Sequence, residues 1–346
     1  MGESFRVGLS RDFLTPRGEI AFGDIGLGLL DETPGIAHEF LAENTPELRP
    51  DQLRGYDALL LLGARLSSTS LEGVDRLAIV ARFGVGYDNV DVPACTRHGV
   101  ALSITPDGVR RPVAVSAMTL LLAASLKLLI KDRLTRTGKW AEKLGHMGMG
   151  VTGRTLGLIG LGNIGREVAL LAKPFGMKVV AHDPFAAPAD AARLGVELLE
   201  LDELLRSADF VCITCALTEE TRHLIDEKRL AIMKPSAYLV NVARGPIVDQ
   251  AALTRALRER RIQGAALDVF EEEPVDPADP ILQLDNVILT PHAICWTDEC
   301  FHGNGLSACR SIIDVAAGRA PSHVVNREVL DAPAFRQKLA RCAARA

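Results

Sequence analysis

Thr155 to Asp183 reads T-L-G-L-I-G-L-G-N-I-G-R-E-V-A-L-L-A-K-P-F-G-M-K-V-V-A-H-D. Leu156 to Ile159 is a short apolar run suited to a buried parallel strand, and it runs into Gly160, Gly162 and Gly165, a G-x-G-x-x-G. In that pattern the first glycine makes the tight turn, the second lets backbone approach a pyrophosphate, and the third lets the next helix pack on the strand. The helix that follows offers unpaired amides and a positive dipole end to the anion. Lys178 to Ala181 is a second strand, and Asp183 stands at its end, eighteen residues past Gly165. A carboxylate there accepts hydrogen bonds from both ribose hydroxyls and repels a 2′-phosphate, so the predicted cofactor is NAD rather than NADP.

Outward from this stretch, helix and strand patterns alternate. Strands are predicted at Phe5 to Ser10, Tyr56 to Leu62, Leu77 to Arg82 and Val100 to Ile104, then at Phe210 to Thr214, Tyr238 to Val242, Gly264 to Val269 and Val287 to Thr290. Helical patterns cover Leu199 to Arg206, Glu227 to Met233 and Gln250 to Arg258. Such alternation specifies an α/β fold with doubly wound parallel sheets. A long helix is predicted from about Pro112, with proline in its first turn. Its apolar run Val113 to Ile130 is interrupted by Ser116, Thr119, Ser125 and Lys127, which fits a helix buried between domains or subunits better than a membrane span. The glycine-containing segment between the first two strands has only weak periodicity and yields no functional reading.

At 346 residues the chain has room for two domains, because single cores seldom grow beyond about 250 to 300 residues. A net charge of −5 and a pI near 5.9 argue against a nucleic-acid or anionic-membrane surface. Seven scattered cysteines suit a reducing compartment, and Cys212-x-x-Cys215 has neither a second pair nor histidines at metal spacing, so no metal is predicted. The start of the chain has no signal-peptide pattern, and a cytoplasmic location is expected.

Ligands of doubly wound sheets bind beyond the carboxyl ends of the strands. Three groups follow strands there: Arg244 in N-V-A-R-G-P-I-V-D, Asp268 and Glu273 in L-D-V-F-E-E-E-P, and His292 in T-P-H. An arginine can grip a carboxylate and polarise a neighbouring carbonyl. A histidine can give a proton to that carbonyl's oxygen or take one from a hydroxyl, and a glutamate beside it favours the imidazolium. Asp268 is read as a partner for the nicotinamide amide. After the strand Leu77 to Arg82, the turn F-G-V-G-Y-D-N-V-D exposes amides that can hold a carboxylate.

These motifs, F-G-V-G-Y-D-N-V-D, T-L-G-L-I-G-L-G-N-I-G, N-V-A-R-G-P-I-V-D, A-L-D-V-F-E-E-E-P and N-V-I-L-T-P-H, resemble those of the D-2-hydroxyacid dehydrogenase family over roughly Val7 to Asn326. The resemblance implies a Rossmann NAD-binding domain, residues 108–296, inserted in a flavodoxin-like substrate domain made of 1–107 and 297–346, with the active site in the cleft between them. It implies the catalytic set Arg244, Glu273 and His292, and a substrate carboxylate held at Val85 and Gly86. It also implies cofactor contacts from Gly160, Gly162, Asn163, Ile164, Gly165, Asp183, Cys215, Val242, Ala243 and Asp268. The implied activity is interconversion of a small D-2-hydroxy acid and its 2-oxo acid; an unusual substrate of the same family, or an NAD-sensing corepressor-type role, is the alternative. The helix after Pro112 is similar to the family's dimerisation element, so a homodimer is expected. The chain departs from the family's usual residues at Val109, Val113-Ala114-Val115 and Thr214, and after the histidine at Ala293-Ile294-Cys295-Trp296. Arg110, Arg111 and Trp296 would either reshape the substrate pocket or serve the subunit interface.

Overall fold

A computed structural model describes residues 4–344. The chain divides into two compact units, one formed by residues up to Val109 together with those from Trp296 onward, the other Arg110–Cys295. Gly108, Val109 and Trp296 thus fall in the first unit, whereas the expected bounds put 108–296 in the second.

The first unit carries β1 (Phe5–Leu9), β2 (Ile36–Phe40), β3 (Ala58–Leu61), β4 (Ile79–Arg82) and β5 (Ala101–Ser103) in the order β2-β1-β3-β4-β5, every pairing parallel. β3 is buried at every position, as a strand covered on both faces must be. The strand β2 lies in the stretch that sequence periodicity left unread. It is an edge strand whose residues are only half-buried or exposed in alternation, so no continuous apolar run marks it.

The second unit carries β6 (Thr155–Ile159), β7 (Lys178–His182), β8 (Glu197–Leu198), β9 (Phe210–Ile213), β10 (Tyr238–Asn241), β11 (Gly264–Leu267) and β12 (Val287–Leu289). Their order is β12-β11-β10-β9-β6-β7-β8, also wholly parallel. The chain winds outward from β6 through β7 to β8, then returns to β9 on β6's other side. That reversal is the topological switch point at which open α/β sheets bind ligands. Helix faces cover both sides: Ala114, Ala117, Leu121 and Ala124 join Leu156, Leu158, Phe210 and Val240 in one cluster, while Leu204, Leu253 and Leu257 join Val211, Leu239 and Ile213 in another.

The long helix differs from its prediction at both ends. It begins at Pro106, so Pro112 is internal, and it stops at Ser125; a second helix, Leu128–Arg136, follows Lys127 in the left-handed conformation at φ 55°. An internal proline has no amide for the carbonyl four residues back and crowds it. That residue is Gly108, which has no side chain and packs on Asn304, where a Cβ would collide with backbone. The two helices meet at a 59° bend, and among the described residues no single helix is long and apolar enough to cross a membrane.

Candidate active site

The glycine loop is built by close approach. Gly160 sits at φ 98°, and a Cβ on it would lie 2.7 Å from the Cys215 amide nitrogen; one on Gly165 would strike the Gly160 carbonyl. Thr214 Oγ1 donates to that carbonyl at 2.8 Å, tying the loop after β9 to the loop after β6 at the switch point. Around Gly162, in contrast, a Cβ would meet nothing within 4 Å, and Gly162 and Asn163 are exposed. Gly162 caps the helix Asn163–Ala172, so the amides of Asn163, Ile164 and Gly165 open its first turn without intrahelical partners. A helix N-terminus of this kind suits an anion, and the residues present fit a dinucleotide.

At the end of β7 the Asp183 carboxylate accepts from the Leu161 amide at 2.7 Å and from the Phe185 amide at 2.9 Å. Those bonds fix its position beside the glycine loop and leave capacity, since a carboxylate offers about four acceptor sites. Cys215, half-buried against Gly160, has its thiol pushed up to about 11 by burial and stays protonated; fully buried Cys212 is pushed up to about 12. Arg110 and Arg111 both pair with Glu167 on the glycine-loop helix, at 3.8 and 2.7 Å.

Beyond β10, β11 and β12, three loops carry Arg244, Glu273 and His292, and the last two are in contact. His292 Nδ1 lies 2.7 Å from Glu273 Oε2, and Glu273 Oε1 accepts the Phe270 amide at 2.9 Å. With Nδ1 committed to the glutamate, Nε2 is the ring atom left for proton exchange. The hydrogen bond to Glu273 raises His292 above its ordinary value, against desolvation and the positive charge of Arg244. Desolvation pushes Glu273 up, but His292, the Phe270 amide and Arg244 together hold it below the usual carboxylate range. His292 is also a non-glycine residue at φ 52°, a left-handed conformation that persists only where surrounding contacts impose it.

Those contacts come from Asp268. Its buried carboxylate accepts from Thr290 Oγ1 at 2.6 Å and from the amides of Ala293 and Ile294 at 3.0 and 3.2 Å, so it staples both sides of the His292 turn. Arg244 is set in the same manner by Asn241. That buried side chain donates to the Arg244 carbonyl at 2.9 Å and accepts from Ala243 at 3.0 Å, while Arg244 Nη1 donates to the Ala243 carbonyl at 2.7 Å. Val242 and Ala243 are half-buried in the same loop. A Cβ on Gly245 would collide with the backbone of Phe270 and Glu271, so this glycine lets the Arg244 loop seat directly on the turn that carries Glu273. Sequence reasoning gave no role to Asn241, Gly245 or Thr290. Their signal was present in N-V-A-R-G and L-T-P-H, but a residue that supports a neighbour's backbone looks, in one sequence, like any polar or small residue.

In the first unit, Val85 and Gly86 follow β4. Gly84, at φ 129°, donates its amide to Thr105 Oγ1 at 2.7 Å, and Thr105 donates to buried Asn304 Oδ1 at 2.7 Å. The turn is thus pinned from behind, with Val85 and Gly86 partly exposed.

A Rossmann-type sheet with an open glycine-loop helix N-terminus, followed by Arg, Glu and His on successive strand-end loops, fits a nicotinamide-dependent dehydrogenase. Comparison with known proteins agrees: the model of the D-isomer specific 2-hydroxyacid dehydrogenase, NAD binding domain, matches residues 118–293. A glyoxylate reductase of Thermococcus onnurineus is 41% identical over 296 residues, 84% of this chain and 88% of that one. Among solved structures, a protein of Thermus thermophilus superposes with a TM-score of 0.80 at 32% identity, covering 92% of this chain and 99% of that one. A glyoxylate reductase from Paecilomyes thermophila gives 0.79 at 27% identity over 93% and 99%. The chain belongs to the D-isomer specific 2-hydroxyacid dehydrogenase family and is an NAD-dependent oxidoreductase that interconverts a 2-hydroxy acid and its 2-oxo acid.

Proposed function

We propose that Arg244, Glu273 and His292 carry out this reaction on a small D-2-hydroxy acid and its 2-oxo counterpart. The 2.7 Å His292–Glu273 pair at the strand-end edge of the sheet is the observation that carries the assignment. When bound, NADH supplies the hydride that adds to the carbonyl carbon. Arg244 polarises that carbonyl, and His292 Nε2 delivers the proton to its oxygen, so C=O becomes CH–OH with one hydride and one proton added. In oxidation the neutral imidazole takes the hydroxyl proton. Glu273 orients the ring through Nδ1 and keeps it charged in the reductive direction. Amides of Val85 and Gly86 hold the substrate carboxylate.

The amides of Asn163, Ile164 and Gly165 would hold the pyrophosphate, Asp183 the ribose hydroxyls, and Cys215, Val242, Ala243 and Asp268 the nicotinamide half. Asp183 supports a preference for NAD, because its charge disfavours a 2′-phosphate. Two chains pair through the helix Pro106–Ser125 and its continuation, where Val115, Leu126, Leu128 and Leu129 stand exposed. Exposed large apolar side chains of this kind support a pairing surface.

NADH consumption with a panel of small 2-oxo acids, run beside NAD reduction with D- and L-2-hydroxy acids, tests the substrate assignment. Turnover of 2-oxo acids including glyoxylate, the substrate named for the Thermococcus relative, and of D-isomers only, is the expected result. Equal turnover of L-isomers contradicts it.

A further inference from the structure

The first unit contains an aromatic chain with no role in the chemistry above. Phe13 packs edge-on against Phe83 with centroids 5.0 Å apart, Phe83 lies 5.6 Å from Phe301, and Phe301 stacks on Phe22 at 4.1 Å and 11°. Trp296 completes it, edge-on to Phe22 at 5.2 Å and to Phe301 at 5.5 Å. The interior members, Phe13, Phe83 and Phe301, are buried, and they need no further explanation than packing. The outer end is different. Phe22 is half-buried and Trp296 is 53% exposed, a large apolar ring set at a fixed angle in solvent.

Its position is built. The segment that carries Phe22 is pinned at one end by the Leu14–Ile20 bridge and the Ala21 amide on the Phe13 carbonyl at 2.9 Å. At the other end, Ile25 and Gly26 lie against the helix Asp298–Ala316 so closely that a Cβ on Gly305 would collide with the Ile25 carbonyl. Gly26 itself needs φ 73°, and a side chain there would come within 2.8 Å of the Leu306 amide. Asp24 pairs with His302 at 3.0 Å between these anchors. The inner member Phe83 immediately precedes Gly84, Val85 and Gly86 in the chain, which ties the cluster to the carboxylate turn through the backbone.

A 2-oxo acid held by its carboxylate at Val85 and Gly86 projects its C2 substituent from the very next carbon. We propose that Phe22 and Trp296 form the wall that receives this substituent, so that the preferred substrates carry an apolar side chain of aromatic or branched aliphatic size. This rests on the proposed carboxylate grip. A rigid aromatic pair adds contact area without the entropy loss of a flexible side chain, and so favours a bulky apolar group over the hydrogen of glyoxylate.

The test compares kcat/KM for phenylpyruvate and glyoxylate with NADH in the full-length protein. The wild type is expected to favour phenylpyruvate by ~10-fold or more, and Trp296→Ala to lower that ratio by ~10- to 100-fold, chiefly through the KM for phenylpyruvate, with Trp296→Phe restoring most of it. Phe22→Ala is the second variant and lowers the same ratio. General structural damage lowers both substrates together and leaves the ratio in place. A wild-type preference for glyoxylate, or a ratio unmoved in both folded alanine variants, overturns the wall while leaving the reaction intact. Reduction of neither acid by protein that still turns over another 2-oxo acid overturns the wall; turnover of no 2-oxo acid at all overturns the proposed carboxylate grip, and the wall with it.

Discussion

At the scale of single residues, the proposed acid/base group is a histidine whose charged form is favoured chiefly by Glu273. The Glu273 hydrogen bond raises His292 above its reference of 6.5. A raised value means that this pair stabilises the fold fully below the unfolded histidine's value and that the contribution fades as pH rises through the folded one. The same sign governs rate. In the proposed role reduction consumes the imidazolium, so kcat/KM for a 2-oxo acid should fall as pH passes above the raised value, while oxidation of the 2-hydroxy acid gains. Glu273→Gln removes the charge and keeps the shape; its reductive pH profile should break at lower pH than the wild type's. Coincident profiles would dissociate the glutamate from the histidine's titration. The tryptophan at 296 illustrates the opposite kind of residue, since its neighbours Phe22 and Phe301 make sense of it only once the chain is folded.

At the scale of elements, the working parts are strand-end loops held by close backbone contacts. The glycine loop was legible because each of its glycines answers a local demand that any such turn makes. The supports of Arg244 and His292 were not, because Asn241, Gly245 and Asp268 act on loops whose spatial proximity comes from parallel strand order. Asp268 in particular reads from the sequence as a cofactor contact, whereas what the fold shows is its carboxylate stapling the His292 turn. Gly245 offers a clean probe of this level. Gly245→Ala should press a methyl into the Phe270–Glu271 backbone, cost ~1–3 kcal/mol in chemical denaturation, and lower kcat/KM by separating Arg244 from Glu273. Wild-type stability and activity in that variant would show that the two loops do not depend on this contact.

For the whole molecule, the two parallel sheets followed from the alternation of apolar runs and helical periods, since buried parallel strands announce themselves as continuous Val, Leu and Ala stretches. Short edge strands escaped: β2 is never fully buried and β8 has only two residues. The bend after Ser125 escaped too, because Lys127 takes a left-handed conformation that its residue type does not advertise. The bend leaves Leu126, Leu128 and Leu129 exposed on the surface we assign to pairing. Sedimentation should therefore give the mass of two chains, and charge placed at Leu128 and Leu129 together should shift it toward one; a wild-type monomer at all concentrations would remove the dimer.

The most direct test of the site is a paired measurement on His292→Ala: turnover of a 2-oxo acid that the wild type reduces, and NADH affinity by fluorescence titration. With the acid/base group removed and the cradle of Gly160, Gly162 and Asp183 untouched, turnover should fall by ~10²- to 10⁴-fold while NADH binds as before. Turnover close to that of the wild type, with NADH bound normally, would contradict the assignment of His292 as the proton donor.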